Sequence, residues 1–294
     1  MKPIVIKVGG AAGVDVEAVL TDVAALVAEG QPTVLVHGTS AAADALAARA
    51  GVPVRYLTSP SGHVSRYTDP ETLELYVAAA AGQVNKRLVA RLQHLGCNAV
   101  GLSGVDGRLL IAQRKEAIRV IEHGHQRIIR DDYTGQLVSA NNGLLHLLLG
   151  AGYTPVVAPL ALGMQGERLN VDGDRAAALL AAALNAAALI ILSNVPGLLA
   201  SFPDESSLIR HIEPAHLAAA EALAEGRMKK KLLAARTALA AGVPAVILAD
   251  SRRPNPVRAA LRGEGTVIGE LPIICRGWPG AEAALQVPEE VGQP

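Results

Sequence analysis

Lysine is scarce in this chain: only Lys2, Lys7, Lys86, Lys115, Lys229, Lys230 and Lys231 are present, against about three times as many arginines. Two of the places that keep lysine also hold glycine, and that pairing could bind an anion. In Lys7-Val8-Gly9-Gly10 the glycines let the backbone come close to an anion, a following helix start would offer free N–H groups, and Lys7 adds a point charge. The plain alternative is a strand-to-helix turn with a surface lysine. In Gly226-Arg227-Met228-Lys229-Lys230-Lys231 the lysines are either a solvated face or the opening turn of a helix beside an anion site. Three further loops are unusual. Val36-His37-Gly38-Thr39-Ser40 joins strand to helix through small residues. His37 could act as a base there, although a histidine at a strand end is more often a hydrogen-bonded structural residue. Leu169-Asn170-Val171-Asp172-Gly173-Asp174 opens an alanine-rich helix. An aspartate there can simply cap, but Asn170 has no such task and is a candidate substrate ligand. Ser193-Asn194-Val195-Pro196-Gly197 follows an apolar run.

Composition narrows the class. Lys+Arg and Asp+Glu both number 27, so a general binder of nucleic acid or of a membrane surface is disfavoured. Aromatic residues are 2 % of the chain, which leaves few rings for base stacking. Cys97 and Cys275 cannot build a disulfide framework or a four-cysteine zinc site. The chain opens directly on a strand-like run, so no signal peptide is expected, and no apolar stretch reaches the ~18 residues of a membrane span. A cytoplasmic globular protein is the expectation. No P-loop pattern is present, and Gly9, Gly10 and Gly13 lack the dinucleotide-binding spacing. Ser103 is one residue away from a nucleophile elbow, which disfavours a serine hydrolase. His123 and His125 have no further zinc ligands at motif spacing and are placed on an exposed hairpin tip; no metal ligand is assigned.

These loops need elements to hold them. Strands are predicted at Ile4–Val8, Thr33–Val36, Asn98–Leu102, Pro155–Ala158, Ala188–Leu192 and Ala245–Leu248, with an edge strand at Thr266–Ile268. Helices are predicted at Asp15–Glu29, Ser40–Arg49, Glu71–Leu95, Asn141–Gly150 and Asp174–Leu184, with helical segments across Ala215–Ala241. Continuous apolar runs suit strands covered on both faces. Their alternation with helices predicts an α/β fold: three α/β/α layers, doubly wound around a mostly parallel sheet. Such folds bind ligands at the carboxyl ends of their strands, where the loops above fall. Residues 54–70, with Gly62 and His63, read as a loop or hairpin over a site, and residues 108–138 as β-hairpin structure.

Taken in order, K-V-G-G, H-G-T-S, R-Y-T-D, V-N-K, G-L-S-G-V-D-G, N-V-D-G-D, S-N-V-P-G-L and G-R-M-K-K-K resemble the amino-acid kinase superfamily over about residues 1–269. Within it the chain is similar to acetylglutamate kinases. It is closer to the LysW-aminoadipate kinases (LysZ type), which act on an amino acid carried by the small protein LysW. Gly62 to Asp69, Ser193-Asn194 and Arg227 point that way. Thr39 departs from both groups, standing where the second glycine of H-G-G is usual.

The resemblance implies a carbamate kinase-like fold. One domain would span 1–269, with an acceptor-side lobe at about 1–165 and a nucleotide-side lobe at about 166–269; residues 270–294 would form a peripheral tail. It also implies roles. Lys7 and Lys231 would contact the transferring phosphoryl group, and Asp174 would orient the two lysines. Gly9 and Gly10 would offer N–H groups near the phosphates. Gly38 and Thr39 would lie beside the acceptor. Arg66 would bind its α-carboxylate, a good match for a guanidinium fork, and Asn170 would hold its amide link. Ser193, Asn194, Gly197 and Met228 would line the nucleotide.

A side-chain carboxylate is already ionised at pH 7 and attacks a γ-phosphoryl group without a general base. What remains is positioning and charge neutralisation, which suits lysines, glycines and an arginine. ATP is therefore expected, with Mg²⁺ bound through the nucleotide. The expected reaction makes an acyl phosphate on aminoadipate, or glutamate, carried by LysW, in lysine and also arginine biosynthesis. An acidic LysW-type carrier would be the partner. Arg66, Lys86, Arg87, Arg91 and Arg175 are the candidate basic rim, and a homodimer is expected by resemblance. The open alternatives are an N-acetylglutamate kinase, a non-catalytic nucleotide-binding regulator (against which the retained Lys7 and Lys231 argue), and a carbamate- or aspartate-directed relative, which the R-Y-T-D loop fits less well.

Overall fold

The computed structural model describes residues 1–60, 64–122 and 125–271, with Glu122 as backbone only. An eleven-stranded sheet runs through the molecule in the order His211–Ile212, Thr266–Gly269, Ala245–Asp250, Ala188–Ser193, Ile4–Val8, Thr33–His37, Thr154–Gly163, Leu110–Arg114, Gly135–Ala140. Ala99–Gly104 and Arg168–Asn170 also pair with the long strand Thr154–Gly163. The central pairings are parallel. Antiparallel pairs bring in Thr266–Gly269, Arg168–Asn170 and Gly135–Ala140. A second, four-stranded sheet contains Val64–Arg66, Tyr56–Thr58, Ile118–Glu122 and His125–Ile129 in that order.

The apolar runs are strands because both of their faces are covered. Val5, Val36, Leu189, Ile191 and Val246 pack against the alanine-rich helices Gly173–Ala183 and Gly226–Ala240. Ile4, Ile6, Leu35, Ile190 and Ile247 pack on the other side against Val16–Ala28, Asn85–His94 and Pro256–Leu261. Each such side chain contributes roughly 1.5–3 kcal/mol by leaving water. Alternation along the strands decides where the chemistry points. Lys7 has the parity of Val5 and faces the alanine-rich helices, whereas His37 has the parity of Leu35 and faces the opposite layer. Local signals set the helix starts: Asp15 accepts from Ala18 N, and Asp69 accepts from Thr72 N just ahead of Pro70.

Three expectations need correction or refinement. Thr266–Gly269 is not an edge strand, because the two-residue strand His211–Ile212 covers it; so short a segment carries no periodic signal. The long helix is continuous from residue 70 to residue 94, but its middle, Ala78–Val84, is wound as π-helix. No helix directly follows Gly10: the chain runs on to Asp15, and the helix starts at Val16. The hairpins expected in 108–138 are present, and His125 is exposed at the start of the strand His125–Ile129. Gly62, His63, His123, Cys275 and the tail beyond residue 271 lie outside the described residues.

Candidate active site

The turns after Ile4–Val8, Thr33–His37 and Ala188–Ser193 meet at one edge of the sheet, because Val8 pairs with His37 on one side and Leu192 on the other. The contact between the first two turns requires glycine. A Cβ on Gly10 would lie 2.3 Å from the carbonyl carbon of Gly38, and one on Gly38 would lie 2.2 Å from Gly10 N. Gly38 N donates to Val8 O, and Ala41 N to Gly10 O. Gly9 N donates to Leu192 O at 3.0 Å. Its amide is therefore already used inside the sheet edge, contrary to the expectation that it faces phosphate. Thr39 can stand where a glycine is usual because its φ of −135° needs no glycine.

Over this edge two lysines share one carboxylate. Lys7 Nζ lies 2.6 Å from Asp174 Oδ1, and Lys231 Nζ lies 3.1 Å from Oδ2. All three side chains are at most 10 % exposed. Burial opposes charge on Asp174, but Lys231 and Lys7 outweigh it and hold its carboxyl well below the usual carboxylate range. Burial pushes the Lys231 ammonium down, Lys7 adds to that, and Asp174 opposes it. Capping and chemistry are divided between two aspartates. Asp172 accepts from Asp174 N and Arg175 N as the helix cap, which leaves the Asp174 carboxylate to the lysines. The lysine run is likewise divided. Lys229 is exposed, Lys231 is buried, and Lys230 donates to Val64 O at 3.1 Å, joining the helix to the small sheet.

Arg66 is buried at the end of that small sheet. Its Nη2 is 2.6 Å from Asp44 Oδ1, 3.3 Å from the Tyr56 hydroxyl and 3.5 Å from Ser40 O, just after Gly38 and Thr39. Asn170 is tied to the same segment: its Nδ2 donates to Thr68 Oγ1 at 3.1 Å. Only three residues separate Asn170 from Asp174, so the acceptor candidates and the lysine bridge meet at one strand-to-helix connection. After the strand Ala188–Ser193, Ser193 O accepts from Ser251 N, and Asn194 Nδ2 lies 3.4 Å from Ala12 O, beside the glycine loop. Gly197 is required for packing, since a Cβ there would lie 2.4 Å from Thr266 Oγ1. Met228 packs into the core between the alanine-rich helices and the sheet.

His37 is structural. Its Nε2 is 3.2 Å from Asn85 Nδ2, its Nδ1 is 3.3 Å from Gly38 O, and burial lowers its pKa to about 4. The proposed basic rim does not form one face. Arg91 pairs with Glu17 and Lys86 donates to Gly101 O on one side of the sheet, while Arg175 opens a helix on the other. Asp44, Thr68 and Asp132 also bond into this region, with no role expected of them from sequence. Thr68 was visible inside R-Y-T-D, but Asp44 and Asp132 stand in no motif.

The sequence pattern of the amino acid kinase family matches residues 2–250. The chain belongs to that family. The LysW-aminoadipate kinase of Thermus thermophilus is 52 % identical over 267 residues, spanning 90 % of this chain and 99 % of that protein. The LysW-aminoadipate kinase of Deinococcus radiodurans is 50 % identical over 265 residues, 90 % of this chain and 91 % of the relative. The fold of this family member is shared with the N-acetylglutamate synthase of Neisseria gonorrhoeae, at a TM-score of 0.72 and 23 % identity over 92 % of this chain and 59 % of that one. The mostly parallel α/β sheet inferred from the sequence is thus the fold of the family.

Proposed function

We propose that this chain is an ATP-dependent kinase for the side-chain carboxylate of aminoadipate, or of glutamate, held through its amino group on a LysW-type acidic carrier. The product is an acyl phosphate, and the pathway is lysine biosynthesis with arginine biosynthesis as the second branch. A cytoplasmic homodimer belongs to the same reading. The observation that carries the chemistry is the buried Lys7–Asp174–Lys231 bridge beside two glycine turns. The half-identical relatives supply the acceptor class.

In this reading the acceptor carboxylate needs no base and attacks directly. Lys7 and Lys231 neutralise charge spreading over the transferred group, and Asp174 keeps both ammoniums aimed without reorganisation. Gly10 and Gly38 keep side chains away from the phosphates. Among the described residues no three His, Cys, Asp or Glu side chains stand close enough to cage a metal, and both Asp174 oxygens face lysines. A Mg²⁺ ion would therefore arrive on the nucleotide, held by phosphate and water, and lend its charge there. Arg66 takes the acceptor's α-carboxylate in place of the half-exposed Asp44 carboxylate. Among the described residues its polar contacts to Asp44, Tyr56 and Ser40 run through Nη2, and its guanidinium lies over the Tyr56 ring at 5.4 Å.

A carrier-borne acceptor also suits the surface around Arg66. Strand register places Tyr56, Val64, Arg119, Ile121 and Ile128 on the face of the small sheet that bears Arg66. Tyr56, Val64, Ile121 and Ile128 are among the exposed large apolar side chains. The test is ATP turnover with Mg²⁺ and hydroxylamine trapping in the presence of N-acetylglutamate, LysW-aminoadipate or LysW-glutamate. Hydroxamate with carrier-bound acceptors alone is the expected result. Hydroxamate with N-acetylglutamate alone makes this an N-acetylglutamate kinase, and none with any acceptor makes it a regulator.

A further inference from the structure

Asp132 is 3 % exposed, and the chemistry above does not use it. A buried carboxylate is costly unless its oxygens are satisfied. Here they receive three donors from two segments: Thr68 N at 3.0 Å on Oδ2, and Thr134 N at 2.9 Å together with the Thr134 hydroxyl on Oδ1. Arg114 adds a contact to the same residue, its Nε donating to the Asp132 main-chain oxygen at 2.8 Å. The segments gathered this way hold the two acceptor contacts. Thr68 Oγ1 donates to Arg66 O at 3.3 Å and accepts from Asn170 Nδ2 at 3.1 Å. Main-chain bonds close the loop: Tyr133 N donates to Thr68 O at 2.7 Å, and Asn170 N to Tyr133 O at 2.9 Å.

The polarity of this chain has a chemical consequence. A hydroxyl has one proton. Thr68 gives it to Arg66 O, so towards Asn170 it can only accept, and it selects the amide nitrogen. The Asn170 carbonyl oxygen is thereby turned away from Thr68 and kept for another donor. An amino acid acylated through its amino group offers such a donor, its amide N–H.

We propose that Asp132 and Thr68 are positioning residues: together they fix the spacing of Arg66 and Asn170 and turn the Asn170 carbonyl towards the acceptor's amide N–H. This rests on reading Arg66 and Asn170 as acceptor contacts. The test is steady-state kinetics of the full chain with LysW-aminoadipate and ATP for Asp132→Asn, Thr68→Val and Thr68→Ser, with Arg66→Ala as reference. Asp132→Asn and Thr68→Val are expected to raise the acceptor KM about tenfold, the scale of one misplaced buried hydrogen bond. kcat and the ATP KM should stay within about twofold, and Thr68→Ser, which keeps the hydroxyl, should restore the acceptor KM. If Arg66→Ala raises the acceptor KM while Asp132→Asn and Thr68→Val leave it unchanged, the positioning role is overturned. It is equally overturned if these two variants lower kcat and raise both KM values alike, the mark of general loosening. If Arg66→Ala also leaves the acceptor KM unchanged, the acceptor site itself has been misread and the inference falls with it.

Discussion

The lysine bridge and the proposed acceptor clamp hold their groups by different physics. The bridge is three charges shielded from water on stiff ends of the central sheet and its covering helices: Lys7 on a strand, Asp174 and Lys231 near helix starts. The clamp is one cation, Arg66, on a three-residue strand of a small outer sheet, joined to Asn170 through hydroxyl and main-chain bonds. Charge held rigidly in a dry place acts on a transition state, whereas a hydrogen-bonded clamp decides who enters. The bridge should therefore govern kcat and the clamp KM.

The largest expected break comes from the bridge. Lys7→Ala and Lys231→Ala should each lower kcat about a hundredfold or more, with the acceptor KM within about threefold, measured by hydroxamate formation. Next, Asp174→Asn leaves two buried ammoniums without a counter-charge and should cost about 3–5 kcal/mol of stability, read by denaturant unfolding. On the other side, Arg66→Ala should raise the acceptor KM about thirtyfold with kcat largely kept, the scale of a lost charge-assisted pair. A smaller effect follows from titration. Lys231 must be protonated to neutralise phosphoryl charge, and burial lowers its pKa from 10.5. The kcat/KM profile, which reports the free enzyme, should accordingly fall as pH rises with its alkaline limb below 10.5, and Lys231→Arg should move that limb upward. The smallest expected effect is salt. The KM for the carrier-borne acceptor should rise between low and high ionic strength, and a flat value would count against charge-guided docking.

The two regions also differed in how readable they were. Asp174 was singled out only by the family resemblance, whereas Lys7, Gly10 and Gly38 were legible because glycine and charge at the ends of apolar strand runs is a local pattern, and the strands themselves were legible from continuous apolar runs. The division of labour between Asp172 and Asp174 was not, since either aspartate could cap the same helix. Gly9 looked like Gly10 in sequence, and only the neighbouring strand revealed that its amide is used by Leu192 O. Asp132 could not be found from sequence: it stands in a loop far from Thr68 and Asn170, and its meaning comes only from the fold that joins them. His37 went the other way. Its structural reading, the one favoured from sequence, prevailed because strand parity turns it away from the lysines.

The separation of the two halves is tested most directly by the double variant Lys231→Ala with Arg66→Ala, compared with each single variant in kcat/KM. Independent halves should multiply their losses, so the double variant should match the product of the singles within about threefold. A double variant no worse than the more damaged single would mean that the lysine bridge and the acceptor clamp act as one unit, and would contradict the division drawn here.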